Sequence, residues 1–146
     1  MADEEGRLQQ STMCIDAPQE GDNRVNFNSI LIGSEDPKRL ADFYTKLFGE
    51  PAFVFEPYTG WQIGVGNVTV GPHDEVKGTN ASPGRLIWNM ESTDVKGDFE
   101  RFKSAGATVI ADPYTMEGDE SGSLIATFAD PDGNYFQIAT PMEPTS

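Results

Sequence analysis

The chain has 146 residues, 37% of them apolar, enough for one compact domain with a real core and too few for two independent ones. Its 24 acidic side chains against 10 basic give a formal net charge of −14, a surface that repels phosphate backbones and anionic headgroups and so disfavours nucleic acid and membrane as partners. Cys14 is the only cysteine, so no intrachain disulfide exists, and with no apolar run long enough to span a bilayer and an acidic start unlike a signal peptide, the expected compartment is the cytoplasm.

Residues 1–24 carry six acidic and two basic side chains without periodicity and read as an acidic flexible leader. Alternation then sets in: Val25, Phe27, Ser29 and Leu31 share one face, and Asn26, Asn28, Ile30 and Ile32 the other, which predicts a strand over 27–32. Asp36 offers an N-cap oxygen, and Pro37 suits the first helical position because its missing N–H would have no partner there. Leu40, Phe43, Tyr44, Leu47 and Phe48 form one apolar stripe, and Gly49 followed by Pro51 ends the helix. Three strands follow, over 52–56, 60–65 and 67–71, with a turn at 57–60. Residues 72–84 form a polar connector.

The plan then repeats. A strand over 85–91 leads to Asp94 as a second N-cap, a stripe of Val95, Phe99 and Phe102, and a stop at Gly106. Strands over 108–111, 123–128 and 134–140 complete the copy, with Asp130-Pro131-Asp132-Gly133 as a tight turn before the last. The final strands of the two copies start alike, Gly66-Asn67 and Gly133-Asn134. Two copies of one strand–helix–strands unit imply a pseudo-symmetric α+β domain over 25–141: module one at 25–71, connector at 72–84, module two at 85–141, and a loose tail at 142–146.

Asp36 ahead of Phe43-Tyr44, Leu47-Phe48-Gly49, Thr93-Asp94-Val95, Ala105-Gly106-Ala107 and Asp130-Pro131-Asp132-Gly133-Asn134 together resemble the vicinal oxygen chelate superfamily, which includes glyoxalase I, the extradiol dioxygenases and the bleomycin-resistance proteins. The resemblance implies two βαβββ modules in tandem, forming a curled mixed sheet around a concave cavity, and commonly a homodimer. It also implies metal-ligand positions on the first and last strand of each module, which fall here on Ser29, Val70, Ile87 and Gln137. That set lacks imidazole, carboxylate and thiolate, and with His73 the only histidine one subunit cannot assemble a two-His-one-carboxylate triad. The expectation is therefore no metal, and no phosphate-binding loop argues for a nucleotide cofactor either.

Strand alternation assigns Ser29, Leu31, Val68, Val70, Ile87, Asn89, Glu91, Tyr135, Gln137 and Ala139 to the cavity, and Ile30, Ile32, Trp88, Met90, Phe136 and Ile138 to the face beneath the helices. A mostly apolar lining with a few polar groups suits a small hydrophobic or aromatic molecule, against which Trp61 could stack. The leading reading is metal-independent binding of such a ligand, similar to the antibiotic-sequestering relatives. The alternatives are a glyoxalase-like isomerase or lyase, with His73 or Glu91 as the base and Asn89 and Gln137 holding an oxyanion, and a metal-dependent lyase or dioxygenase.

Overall fold

The computed structural model describes residues 25–141. The leader at 1–24, with Cys14, and the tail at 142–146 lie outside the described residues.

Both helices start as their sequences dictate. Strand β1 (Ser29–Ser34) leads into α1 (Pro37–Phe48), where Asp36 Oδ1 accepts from the Arg39 N–H at 3.2 Å. In the second module, β5 (Trp88–Glu91) leads into α2 (Val95–Ser104), where Asp94 Oδ1 accepts from the Gly97 N–H at 3.0 Å. The repeat reaches two residues beyond the caps: Ser34 Oγ and Ser92 Oγ each accept the N–H of the capping Asp two residues on, both at 3.0 Å. Gly49 and Gly106, just past the two helices, have φ of 87° and 111°, a region in which any other residue would be strained.

Strands β2 (Phe53–Phe55), β3 (Tyr58–Ile63) and β4 (Gly66–Pro72) join β1 in a sheet of order β1-β4-β3-β2, with β1 parallel to β4. A one-turn 3-10 helix (Pro83–Arg85) precedes β5, which then forms the second sheet with β6 (Thr108–Tyr114), β7 (Ile125–Ala129) and β8 (Tyr135–Ala139), in the order β5-β8-β7-β6. The domain is thus two tandem βαβββ modules in an open α+β arrangement of two separate sheets. Several strand ends differ from expectation. β1 starts at Ser29 and runs on to Ser34, Tyr58 and Thr59 belong to β3 and not to a turn, and β6 continues to Tyr114 through a shifted register. Residues 85–87 are not strand, because the 3-10 turn consumes the start of the expected run.

Register decides which face each side chain takes. Ile30 pairs with Val68 and Ile32 with Val70, so those four share the face beneath α1, while Leu31 and Thr69 share the opposite, concave face. Val68 and Val70 are accordingly core, at 3% and 1% exposure, which corrects their assignment to the cavity. The expected parity came from matching Gly66-Asn67 to Gly133-Asn134, whereas the structure pairs Leu31 with Thr69 and Asn89 with Gln137, one residue earlier. A single-residue offset moves a whole strand's side chains to the other face.

The concave face of the first sheet is covered by its own aromatics. A Cβ on Gly71 would lie 2.2 Å from a Tyr58 ring carbon, and one on Gly60 would lie 2.3 Å from the Phe53 ring. Gly71→Ala is therefore expected to displace Tyr58 and destabilise the protein by about 1–3 kcal/mol, measured as a lower midpoint of urea unfolding.

One core serves both modules. Leu40, Phe43, Tyr44 and Leu47 of α1 and Val95, Phe99 and Phe102 of α2 are buried against the sheets, and Phe136 at 0% exposure is in ring contact with Phe43, Tyr44, Trp88, Phe102 and Phe128. Arg101 of α2 donates to the Leu47 carbonyl at 2.8 Å, supplying a partner for a carbonyl that the end of α1 leaves without one. Among the described residues no helix is long and apolar enough to cross a membrane.

Candidate functional site at the seam between the modules

No ladder joins the two sheets, and β1 and β5 are each the edge strand at one end of their sheet. A cavity of about 650 Å³ is lined by both, with walls from residues 30–33 on one side and 86–88 on the other. Phe27 and Tyr135 add aromatic surface, and the connector at 75–80 forms a further wall.

The connector is fastened to both modules. The Gly78 N–H donates to Glu35 Oε1 at 2.8 Å, the Asn80 N–H to the Asp132 carbonyl at 2.8 Å, and Asn80 Nδ2 to Asn134 Oδ1 at 2.9 Å. Val76, half-buried in an otherwise exposed polar stretch, faces the cavity beside Gly33, where an added Cβ would come within 3.3 Å of its methyl and 2.9 Å of His73 Cβ. Gly33 thus admits the connector close against β1.

At the far wall the Asp130–Gly133 turn of module two is held by module one. Ser34 Oγ donates to Asp132 Oδ2 at 2.6 Å, Arg39 pairs with Asp132 Oδ1, and the Tyr44 hydroxyl donates to Asp130 Oδ2 at 2.7 Å. Asp130 also accepts from the backbone N–H groups of Asp132 and Asn134 at 2.9 and 3.0 Å and from Asn134 Nδ2 at 3.0 Å. Burial pushes the Asp130 carboxyl above its ordinary range despite these donors. Burial, followed by the Asp130 charge, pushes the Tyr44 phenol well above its ordinary value. The buried Trp88 indole N–H has no hydrogen-bond partner among the described residues.

Of the residues singled out from sequence, Leu31, Ile87 and Tyr135 line this cavity. Ser29 and Asn89 are exposed, and Gln137 is half-buried with its Nε2 donating to Thr127 Oγ1 at 2.9 Å; none of the three lines it. Trp61 and Val70, each 1% exposed, are corrections: both lie in the core, where Trp61 Nε1 donates to the Gly49 carbonyl at 3.0 Å and no ring face is left for stacking. His73 and Glu91 are exposed and do not line the cavity either; His73 Nδ1 accepts from the Glu75 N–H at 3.1 Å. Sequence reading passed over the connector and Asp132, although Val76, an apolar residue in a polar connector, was a usable signal.

The model of a glyoxalase-like domain matches residues 29–139. The chain belongs to the glyoxalase-like domain family. Solved structures of similar shape include a glyoxalase-related enzyme from Fulvimarina pelagi, 23% identical over 80% of this chain and 88% of that one, with a TM-score of 0.62. A glyoxalase/bleomycin resistance protein/dioxygenase family enzyme from Burkholderia phytofirmans PsJN is 19% identical over 81% of this chain and all of that one, at 0.63, and TioX from Micromonospora sp. ML1 is 18% identical over the same shares, also at 0.63. No curated protein matches the chain. At these identities the neighbours establish the fold alone, which is that of the vicinal oxygen chelate superfamily.

Glyoxalase-like folds often hold a metal between their sheets, so the donor set matters. With the parity corrected, the four symmetry-related positions carry Ser29, Thr69, Ile87 and Gln137, two hydroxyls, a hydrocarbon and an amide. Such donors do not fit a transition metal, and among the described residues no group of three His, Cys, Asp or Glu side chains gathers to hold one.

Proposed function

We propose that this glyoxalase-like domain binds a small hydrophobic or aromatic molecule in the seam cavity without a metal. The observation that carries the reading is the wall itself: Ile30, Leu31 and Ile32 of β1 and Leu86, Ile87 and Trp88 at the approach to β5 supply hydrocarbon and indole around about 650 Å³, a size and character suited to a small organic ligand. His73 and Glu91 stand outside that wall, so proton transfer by either is not part of the proposal.

The test uses N-phenyl-1-naphthylamine, an uncharged probe that becomes fluorescent in apolar surroundings and escapes repulsion by the −14 protein. Binding is expected to raise the melting temperature, to be unchanged by prior chelator treatment, and to leave the probe recoverable intact. Ile87→Trp, which fills the cavity from one wall, is expected to weaken it at least about tenfold, the loss of roughly 1.4 kcal/mol of contact. Unchanged affinity in that variant, or no binding at all, would sink the reading.

The same reading includes a homodimer. Leu31, Phe53 and Phe55 are 54%, 41% and 75% exposed, and pairing places all three on the concave face of the first sheet, apolar surface that a second copy would cover. Light scattering is expected to give twice the monomer mass, with Phe55→Glu shifting it toward monomer.

A further inference from the structure

The seam cavity is lined by consecutive residues: Ile30, Leu31, Ile32 and Gly33 from β1, and Leu86, Ile87 and Trp88 from the approach to β5. Successive side chains on a strand point to opposite faces, so a cavity that met only a sheet face would be lined by alternate positions. A run of neighbours means that the cavity meets the strand edge-on, where backbone groups are displayed.

Ladder geometry says which groups those are. In a parallel pair each residue directs its N–H and C=O to the same side, and the side alternates. The Asn67 N–H donates to the Asn28 carbonyl, so Asn28, Ile30 and Ile32 face β4, and Ser29, Leu31 and Gly33 direct theirs to the edge that no strand among the described residues pairs. The Ser92 N–H donates to the Ala139 carbonyl, so Trp88 and Met90 face β8, and Ile87 and Asn89 direct theirs outward. Asn89 Nδ2 donates to the Ile87 carbonyl at 3.3 Å, a long bond from the residue's own neighbour of the kind an unladdered edge receives. Leu31, Gly33 and Ile87 thus present main-chain donors and acceptors to one cavity whose walls from β1 and the approach to β5 carry hydrocarbon side chains, with Glu75, Lys77, Asp132 and Asn134 confined to the connector and turn walls.

We propose that the ligand of this cavity is peptide-like: an extended, uncharged, apolar molecule of about three residues whose amides pair with the free edge of β1, of β5, or of both. This rests on the seam cavity being the binding site and deepens that reading by naming the ligand class. The length follows from the edge, since Ile30 to Gly33 at about 3.3 Å per residue offers roughly 10 Å of strand along the cavity. The occupant follows from the combination on the wall. An aromatic hydrocarbon would satisfy the apolar side chains and leave the edge amides without partners, whereas a short apolar peptide satisfies both, as in strand addition to exposed sheet edges.

The experiment compares two probes of one shape, acetyl-Val-Leu-Val-amide and its analogue N-methylated at the Leu and second Val nitrogens, with N-phenyl-1-naphthylamine as the apolar reference. The amide peptide is expected to displace the reference and to bind at least about tenfold more tightly than the methylated one, the worth of one to two hydrogen bonds. In amide exchange followed by NMR on the full chain, the N–H groups of Leu31, Gly33 and Ile87 are expected to exchange fast in the free protein and at least about tenfold more slowly with the peptide bound. Those of Ile30 and Ile32, already laddered to β4, should be slow in both states. Equal affinity of the two peptides, or protection of Leu31 and Gly33 before any peptide is added, would overturn the edge-pairing proposal while leaving naphthylamine binding intact. Failure of the naphthylamine to bind would instead remove the seam cavity as a site. Leu31→Pro deletes one outward-facing N–H without touching the β4 ladder and should cut the amide preference, and if it does not fold, the exchange data on the unmodified chain still decide.

Discussion

Replacing Asp130 by alanine is expected to destabilise the protein by about 3–5 kcal/mol, seen as a lower urea midpoint at unchanged slope. The carboxylate is 3% exposed and accepts from Tyr44, from Asn134 twice and from the Asp132 N–H, so its removal leaves several buried donors without partners. The cost is spread across the modules, because Tyr44 belongs to α1 while the turn belongs to the second sheet. Asp130→Asn keeps the shape and one acceptor oxygen and should cost about 1–3 kcal/mol. The pH dependence separates charge from shape. Burial raises the folded-state value of Asp130, so its contribution is fully present below the ordinary Asp range, about pH 4, and is lost as pH rises through the raised value. The advantage of the native protein over Asp130→Asn should therefore be largest in acid and shrink toward neutrality. An advantage that widens with pH would mean that the four donors outweigh burial.

Phe136→Ala should be comparably severe, about 3–5 kcal/mol by the usual cost of emptying a buried aromatic site. Phe136 lies on β8, yet its ring meets Phe43 and Tyr44 of α1, Phe102 of α2, Trp88 of β5 and Phe128 of β7, at centroid distances from 5.4 to 6.3 Å. A cavity there loosens both helices at once, so amide protection in α1 and α2 should fall together. Loss confined to α2 would show that the modules unfold separately. Val65→Ala is the control: at 97% exposure it should alter stability by no more than about 0.5 kcal/mol.

Local features were legible because local chemistry produces them. Asp36-Pro37 and Asp94 cap the two helices as expected, the stripes from Leu40 to Leu47 and from Val95 to Phe102 are buried, and the repeat gives two modules. Parity in module two was also legible: Trp88, Met90, Phe136 and Ile138 lie on the core side, and Asn89 and Gln137 opposite. In module one the same reading failed at β4. There Thr69 and not Val70 stands opposite Leu31, and a glycine-rich stretch such as Gly64-Val65-Gly66 carries no side-chain pattern to reveal the offset.

The sequence by itself therefore determined the family, the two modules and the helix ends, since each depends on residue identity or on spacing within a few turns of chain. Only the tertiary structure decided where the cavity lies. It is made by strands that never pair, by a connector pinned through Asn80, and by Ser34 reaching Asp132 across 98 positions of sequence. Periodicity reports which face of an element is apolar; it does not report which edge of one module comes to lie against another, because that follows from how the shared core around Phe136 packs.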